Sequence, residues 1–171
     1  EAQMTGRPMK IRPATTDDLA QMQAIYAYHV LHGTGSFEDV PPSLEELSQR
    51  FEANQAAGYA WLVAEDGPKI LGYGYYGPFR TRPAYKHTVE DSVYVREDVR
   101  GQGVGKALVL GLVEAAQAAG YKQMVSLIGD SENTASIGVH ASLGFQHAGT
   151  MRKVGFKLER WLDVVIMQKA L

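Results

Sequence analysis

The segment RGQGVGK, residues 100–106, places three glycines at every second position between two basic residues. A run rich in Val and Tyr, TVEDSVYV, precedes the segment, and apolar residues at helical spacing follow it. A helix N-terminus presents free N–H groups and a partial positive charge, so glycines placed before it let a phosphate approach the bare backbone. The segment therefore predicts a pyrophosphate-binding loop that opens a helix.

Two better-known phosphate loops do not fit this spacing. A dinucleotide-binding loop needs G-x-G-x-x-G and an acidic residue about 20 positions further on, whereas here the glycines alternate and that position falls near the start of QMVSLI. A Walker loop needs a glycine six residues before its lysine and Ser or Thr after it, but the chain has Arg100 and Ala107 at those positions. From this pattern alone, a glycine-rich turn without a ligand also stays open.

Titratable side chains just before the glycines could move protons. In TVEDSVYV, strand alternation puts Glu90 on one face with Thr88, Ser92 and Tyr94, opposite the valines. Glu90 is a candidate general base, or an exposed glutamate paired with a surface cation. The same alternation puts Asp91 on the apolar face, unless a bulge shifts the register or the residue is a paired structural acid.

Further candidates lie elsewhere in the chain. His140 could act as acid or base near neutrality, or be satisfied by a helix carbonyl. Arg80 and Arg82 could hold a carboxylate in a bidentate fork, or be solvated surface arginines. His29 and His32 lie three residues apart on a predicted helix, but no acidic ligand pattern accompanies them, so we expect no metal site.

Composition bounds the class of protein. The chain has 171 residues, which predicts one domain over residues 1–171, and 45% of them are hydrophobic. A net charge of −2 argues against duplex binding, and the absence of cysteine excludes disulfides, thiolate nucleophiles and cysteine-bound metals. No apolar run approaches the roughly 20 residues needed to span a bilayer, and no leader is recognised. We expect a cytoplasmic protein without nucleic-acid or membrane partners.

Periodicity and turn residues predict a mixed α/β order with a largely antiparallel first half. Ser43 and Glu46 form a capping-box pattern for a helix, and the Asp-Gly of DGPK favours a hairpin. Helices are predicted after TTDD, after Ser43, after the glycine segment and over NTASIGVHASLG. The predicted strands are residues 10–14, YAWLVAED, ILGYGYYG, TVEDSVYV, QMVSLI and RWLDVVIMQ.

Several of these stretches together resemble one enzyme family. Arg100-x-x-Gly103-x-Gly105, between a strand and a helix, resembles the acetyl-CoA signature of the GNAT superfamily of N-acetyltransferases, and NTASIGVHASLGF is similar to its downstream pattern. SFE, YGPFRTRPAY, TVEDSVYV, SIGVHASLGF and GFKLERWLD resemble the phosphinothricin and methionine-sulfoximine acetyltransferase branch. The resemblance runs from about residue 10 to the end. It implies the GNAT acyl-CoA N-acyltransferase fold, with a mixed, largely antiparallel central sheet flanked by helices.

The resemblance implies acetyl-CoA as co-substrate, no metal, and a homodimer. Pantetheine would pair with the end of the TVEDSVYV strand, the pyrophosphate would lie on the glycine segment, and Asn133 would hold the pantetheine arm. The implied cofactor-binding residues are Val93, Tyr94, Val95, Arg100, Gly101, Gln102, Gly103, Val104, Gly105, Lys106, Asn133 and Ser136.

The resemblance also implies the catalytic residues, Glu90 as base and His140 for the proton of the thiolate. The implied substrate-binding residues are Arg80, Thr81, Arg82, Glu90, Asp91 and Ser92, and we expect Tyr85, just after the two arginines, to lie with them. We also expect Phe37 and Glu38 to form a wall of the substrate pocket, because a long irregular loop is often functional. Lys153 and Trp161 lie in resembling blocks, and we expect Trp161 to be a packing residue because large aromatic side chains are usually buried.

The implied reaction is transfer of an acetyl group to the α-amine of a small amino acid such as phosphinothricin, methionine sulfoximine or methionine sulfone. Without cysteine, an acetyl-cysteine intermediate is impossible, so the amine would attack directly in a ternary complex. Two alternatives stay open. One is a GNAT enzyme for another small amine, such as a polyamine or aminoglycoside, although Arg80 and Arg82 disfavour polycations. The other is a non-catalytic acyl-CoA-binding sensor.

Overall fold

The computed structural model describes residues 9–171. Seven strands form one sheet in the order β1-β2-β3-β4-β5-β7-β6, and every neighbouring pair is antiparallel except β4 and β5. The elements are β1 Lys10–Pro13, α1 Leu19–His32, α2 Leu44–Ala56, β2 Trp61–Asp66, β3 Lys69–Pro78, β4 Thr88–Val95, α3 Val104–Ala118, β5 Gln123–Gly129, α4 Thr134–Ser142, β6 Gln146–Lys157 and β7 Arg160–Ala170. The predicted mixed, largely antiparallel sheet with flanking helices is confirmed.

Local signals in the sequence set the helix ends. The Ser43 hydroxyl accepts a hydrogen bond from the Glu46 N–H at 3.1 Å, which caps α2 as predicted. Helix α1 ends at Gly33, and the N-cap of α3 is Gly103 in the left-handed region, with φ 79°. The elements on both sides of the glycine segment therefore lie where the sequence places them.

Strand β6 has no counterpart among the predicted strands. It is an edge strand whose side chains are mostly exposed, so it lacks the apolar alternation of a half-buried strand. Its pairing with β7 shifts register twice, and Lys153 within it has φ 52°. The bulges interrupt the period of two that would reveal a strand.

Helices cover both faces of the sheet. Helices α1 and α2 pack on one face through a cluster that includes Met22, Phe51 and Trp61. Helix α3 packs on the other face, where Leu108 and Leu112 lie in buried clusters with strand residues. Within residues 9–171, no helix is both long and apolar enough to cross a membrane.

The single parallel pair in the sheet is also its shortest. Strands β4 and β5 are in register only from Thr88 opposite Gln123 to Glu90 opposite Val125. Beyond Glu90, β4 stays paired with β3 while β5 stays paired with β7. The two strands therefore separate in the middle of the sheet, and among the described residues the second half of β4 has a strand partner on one side only.

Candidate active site

A cleft of about 960 Å³ occupies the gap between β4 and β5. Its walls come from the second half of β4, the loop before α3, the end of β5, the start of α4 and the loop after α1. Eleven of the twelve predicted cofactor residues are spread over three of these elements and line one cavity, whereas Gln102 does not line it. The resemblance placed all of these residues in one site, and the fold brings all but Gln102 together.

The glycine segment, residues 100–106, exposes its main chain to the cleft. Gly101 and Gly103 have φ values of 77° and 79°, a conformation that side chains rarely adopt. A Cβ at either position would meet nothing within 4 Å, so the surface of this loop is open main chain. Gly103 has no side chain with which to cap the first N–H groups of α3, and Arg100 and Lys106 add positive charge at the cleft. These features fit a pyrophosphate group.

The end of β4 is held by α1. The His29 ring donates a hydrogen bond from Nε2 to the Val95 carbonyl at 2.6 Å, because a carbonyl can only accept. Burial lowers the pKa of His29, and the hydrogen bond to Val95 opposes that shift only in part. His29 lines the cleft, and the described residues contain no group of three or more potential metal ligands. Through its hydrogen bond to the Val95 carbonyl, His29 holds the backbone at the end of β4 in place.

Glu90 lies on the face of β4 that carries α1 and α2. Tyr94, four positions further along the strand and therefore on the same face, stacks edge-on against Tyr26 of α1 with ring centroids 4.8 Å apart, as the predicted alternation requires. Burial raises the pKa of Glu90, Arg80 opposes that rise, and the charge of Asp91 adds to it. A carboxyl group with a raised pKa is better matched to taking a proton near neutral pH.

Asp91 lies on the opposite face of the same strand, where it meets α4. The β3–β4 register continues past Asp91 without a shift, so no bulge moves the residue off the apolar face. Asp91 Oδ2 lies 2.7 Å from His140 Nε2, which is also 3.0 Å from the Ser126 hydroxyl, and His140 Nδ1 lies 2.7 Å from the Ser136 carbonyl. Asp91 is thus a paired acid, and Glu90 and His140 approach the gap from opposite faces of the sheet.

The predicted substrate residues divide into two groups. Phe37, Glu90, Asp91 and Ser92 line the cleft, whereas Glu38, Arg80, Thr81, Arg82 and Tyr85 do not. Glu38 instead accepts two hydrogen bonds from Arg50 and one from the Tyr26 hydroxyl. Arg80 stacks on the Phe79 ring and lies 3.9 Å from Glu90, at the rim.

The loop that carries Phe37 is held in place by contacts that no sequence pattern predicts. The buried Lys157 Nζ donates a hydrogen bond to the Ser36 carbonyl at 2.6 Å, and the Phe37 ring packs against Gly129 and Gly155. Thr34, which also lines the cleft, donates from its hydroxyl to Asp130 at 2.9 Å. These partners are separated by about a hundred residues, so only the fold reveals them.

The expectation for Trp161 is wrong. Its side chain is 65% exposed and packs against Phe156, which is itself 61% exposed. Both residues belong to the β6–β7 hairpin, whose outer surface is not covered by another part of the described chain. Lys153 lies in the same hairpin at a left-handed bulge, where its N–H donates to Asp163. Neither Trp161 nor Lys153 lines the cleft.

Comparison with known proteins agrees with this geometry. The model of the acetyltransferase (GNAT) family matches residues 22–145, which include the glycine loop and α4. The chain belongs to the GNAT acetyltransferase family. Its fold class and the resemblance drawn from the sequence are thereby confirmed.

Similar proteins with stated activities cover nearly the whole chain. A phosphinothricin N-acetyltransferase from Alcaligenes faecalis is 47% identical over 161 residues, which is 94% of this chain and 82% of that protein. An L-methionine sulfoximine/L-methionine sulfone acetyltransferase from Pseudomonas aeruginosa is 43% identical and covers 92% of each chain. A phosphinothricin acetyltransferase from Sinorhizobium meliloti, solved in complex with AcCoA, superimposes with a TM-score of 0.92 at 40% identity, over 95% of this chain and 88% of its own.

Proposed function

We propose that this GNAT enzyme transfers an acetyl group from acetyl-CoA to the α-amine of a small amino acid of the phosphinothricin, methionine sulfoximine or methionine sulfone type. The observation that carries the proposal is the gap between β4 and β5, with Glu90 on one face of the sheet and His140 on the other. The activities of the relatives from Alcaligenes faecalis and Pseudomonas aeruginosa support the choice of substrate.

The residues around the gap fit acetyl-CoA, which supplies an acetyl group activated as a thioester. The half-paired backbone of Val93–Val95 would hold pantetheine as an added strand, and its N–H groups would orient the thioester carbonyl. The loop 100–106 would hold the pyrophosphate. Asn133 starts α4, where its side chain accepts a hydrogen bond from the Ser136 N–H at 3.2 Å, which leaves its amide N–H₂ for the pantetheine arm.

Glu90 would prepare the amine. An α-ammonium group cannot attack, so Glu90 would remove one proton from it, directly or through a water molecule. Arg80 lies at the rim beside Glu90 and would bind the substrate carboxylate, with Ser92 and Phe37 as further contacts. Arg82, Tyr85 and Thr81 are exposed in and beside a short 3-10 turn, so we propose for them a contact at the entrance rather than within the cleft.

His140 would finish the reaction. A C–N bond forms and the C–S bond breaks, and the sulfur leaves with the electron pair of the broken bond. The ammonium group loses two protons in all, of which one reaches the solvent through Glu90. The second balances the proton that His140 gives to the sulfur, so each turnover releases one acetylated amino acid, one free thiol and one proton. No protein side chain becomes acetylated.

Release of free CoA thiol from acetyl-CoA tests the proposal directly. The amines to compare are phosphinothricin, methionine sulfoximine, methionine sulfone, ordinary amino acids, spermidine and an aminoglycoside. We expect turnover with the first three, and a loss of about 10²-fold or more in kcat for Glu90→Gln, because a general base contributes at least that factor. The exposed Asp98, outside the cleft, gives a matched control in Asp98→Asn.

Other outcomes of the same assay would replace the proposal. Turnover confined to spermidine or the aminoglycoside would assign the enzyme to another amine. Binding of acetyl-CoA without turnover of any amine, together with no effect of Glu90→Gln, would make the protein an acyl-CoA sensor.

We further propose that the single domain, residues 1–171, forms a homodimer in the cytoplasm, where the reaction has a supply of acetyl-CoA. The family resemblance supports the dimer, and so does an exposed apolar patch on the β6–β7 hairpin. The patch contains Met151, Val154, Phe156, Leu158 and Trp161, which are 43–65% exposed. We expect the double variant Phe156→Ser, Trp161→Ser to sediment as a monomer, and cell fractionation tests the location.

A further inference from the structure

Asp91 and His140 form a buried pair beside the gap. Their side chains are 1% and 5% exposed, and Asp91 Oδ2 lies 2.7 Å from His140 Nε2. Asp91 Oδ1 is buried, and no residue within 9–171 forms a hydrogen bond with it. The carboxylate charge is therefore not shared with other donors, and the imidazole is the partner that stabilises it.

The hydrogen bonds determine how many protons the pair holds. The Ser136 carbonyl is only an acceptor, so the contact of 2.7 Å with His140 Nδ1 requires a proton on Nδ1. A distance of 2.7 Å between Nε2 and a carboxyl oxygen requires a second proton between those two atoms. Without that proton, a ring lone pair would face a buried carboxylate. The ring in contact with a carboxylate is thus an imidazolium.

The other neighbours of His140 do not change this assignment. Helix α4 supplies the Ser136 carbonyl, β5 supplies the Ser126 hydroxyl at 3.0 Å, and the Phe145 ring packs edge-on at 4.9 Å. Among the described groups that act on its protonation, the one that carries a charge is Asp91 of β4. Burial lowers the pKa of His140, but the hydrogen bond and charge of Asp91, with the Ser136 carbonyl, outweigh burial and raise it.

We propose that Asp91 is a positioning residue that keeps His140 protonated on both ring nitrogens, so that the ring is the general acid that supplies the proton when the thiolate departs. This inference rests on the proposed function. In the step, the Ser126 hydroxyl, which lies 3.0 Å from Nε2 and lines the cleft, gives its proton to the sulfur lone pair and takes the Nε2 proton in exchange. An S–H bond forms, the Nε2–H bond breaks, the hydroxyl is unchanged, and the ring becomes neutral. Asp91 remains a carboxylate throughout.

The pair also explains how the acid is restored. After the transfer, the Nε2 lone pair faces the buried carboxylate, which is unfavourable, so the pair takes a proton back from water in the cleft. A free thiol has a pKa of about 8.5 and an unperturbed imidazole one of about 6.5. The raised pKa of His140 therefore extends towards higher pH the range over which the ring is protonated and can give a proton to a thiolate.

The first test reads the charge of the ring without using activity. Chain labelled with ¹⁵N and ¹³C in histidine is titrated by NMR, and the His140 signals are assigned from their absence in His140→Gln. We expect the His140 ring to remain protonated on both nitrogens at pH 7. In Asp91→Asn, whose amide can donate to a neutral Nε2, we expect its titration to move down by about one pH unit or more, a tenfold change in proton affinity.

The second test is the pH dependence of kcat for the same proteins. We expect Asp91→Asn to lower kcat by about 10²-fold at pH 7.5, the lower range of a general acid's contribution, while the KM for acetyl-CoA changes less than twofold. Asp18 supplies the matched control, because it is another buried aspartate in an ion pair, with Arg12, and it lies outside the cleft. Asp18→Asn should lose stability without moving the pH profile.

The outcomes distinguish failure of the ion-pair proposal from failure of the proposed function. A neutral His140 in the wild-type chain at pH 7, or an unmoved titration in Asp91→Asn, overturns the proposal whatever the activity. A charged ring with no turnover of any amine leaves the ion pair intact but overturns the proposed function, and with it the role as acid. If Asp91→Asn does not fold, the titration of the wild-type ring still decides whether the imidazolium exists.

Discussion

In the wall of the cleft opposite β4, Gly129 packs so closely against the loop after α1 that no side chain fits between them. A Cβ added to Gly129, the last residue of β5, would lie 2.5 Å from the Thr34 carbonyl oxygen and 2.7 Å from the Phe37 ring. Ordinary van der Waals contact begins at 3.4 Å, so the backbone of the loop after α1 must move by about 0.9 Å in Gly129→Ala. Thr34 and Phe37 both line the cleft, so the displacement reaches the site.

Two measurements follow for Gly129→Ala. Overpacking of this kind costs about 1–3 kcal/mol, which urea denaturation monitored by tryptophan fluorescence would detect as a lower free energy of unfolding. A displacement of about 1 Å at a positioning contact reduces catalytic efficiency by up to about 10²-fold. We expect most of that loss as a higher KM for the amino acid, because Glu90 and His140 lie on other elements.

Gly138 provides the control. It lies in the interior of α4, and a Cβ there meets nothing within 4 Å, so Gly138→Ala should stabilise the chain by about 0.5–1 kcal/mol without changing the KM. Equal stability and equal KM for Gly129→Ala and Gly138→Ala would refute the reasoning, since the loop would then yield at no cost.

Three further predictions concern other parts of the chain. Gly103→Ala must hold Ala at φ 79°, which costs about 1–2 kcal/mol, and we expect weaker acetyl-CoA binding by calorimetry. Because the pKa of His140 is raised, the stability from its pair with Asp91 is full below about pH 6.5 and is lost as pH rises through the folded-state pKa; urea curves of Asp91→Asn should lack that loss. Asp18, whose pKa the Arg12 hydrogen bond lowers, stabilises above about pH 4 and loses this contribution on acidification, which Asp18→Asn should abolish.

Elements with a strong local signal were predictable from the sequence. Strand β4 has the bounds of TVEDSVYV, because its alternation is regular and the flanking residues end it. Helix α3 begins directly after Gly103, with Gly105 in its first turn, because its apolar residues keep a helical period. These two elements flank the glycine segment, so a pyrophosphate-binding site could be predicted between them.

Features that depend on pairing between distant segments were not predictable. The bond between Asp91 and His140 joins residues 49 positions apart, and no local period encodes it. Burial of Trp161 follows from residue type only if another surface covers it, and in the described chain none does. Tyr85 and Arg82 resemble site residues by their order in the sequence, whereas the course of their exposed turn sets them outside the cleft.

The separation of β4 from β5 after Glu90 has a thermodynamic consequence. A sheet that lacks one partner strand in its interior is completed only when an extended molecule occupies that place, so folding and cofactor occupancy are linked equilibria. At a cofactor concentration of 100 times the Kd, the linkage adds about 2.7 kcal/mol to the free energy of unfolding. A change in the acetyl-CoA concentration would thus change the lifetime of the protein. Hydrogen exchange of the backbone amides in residues 91–95 would measure this effect.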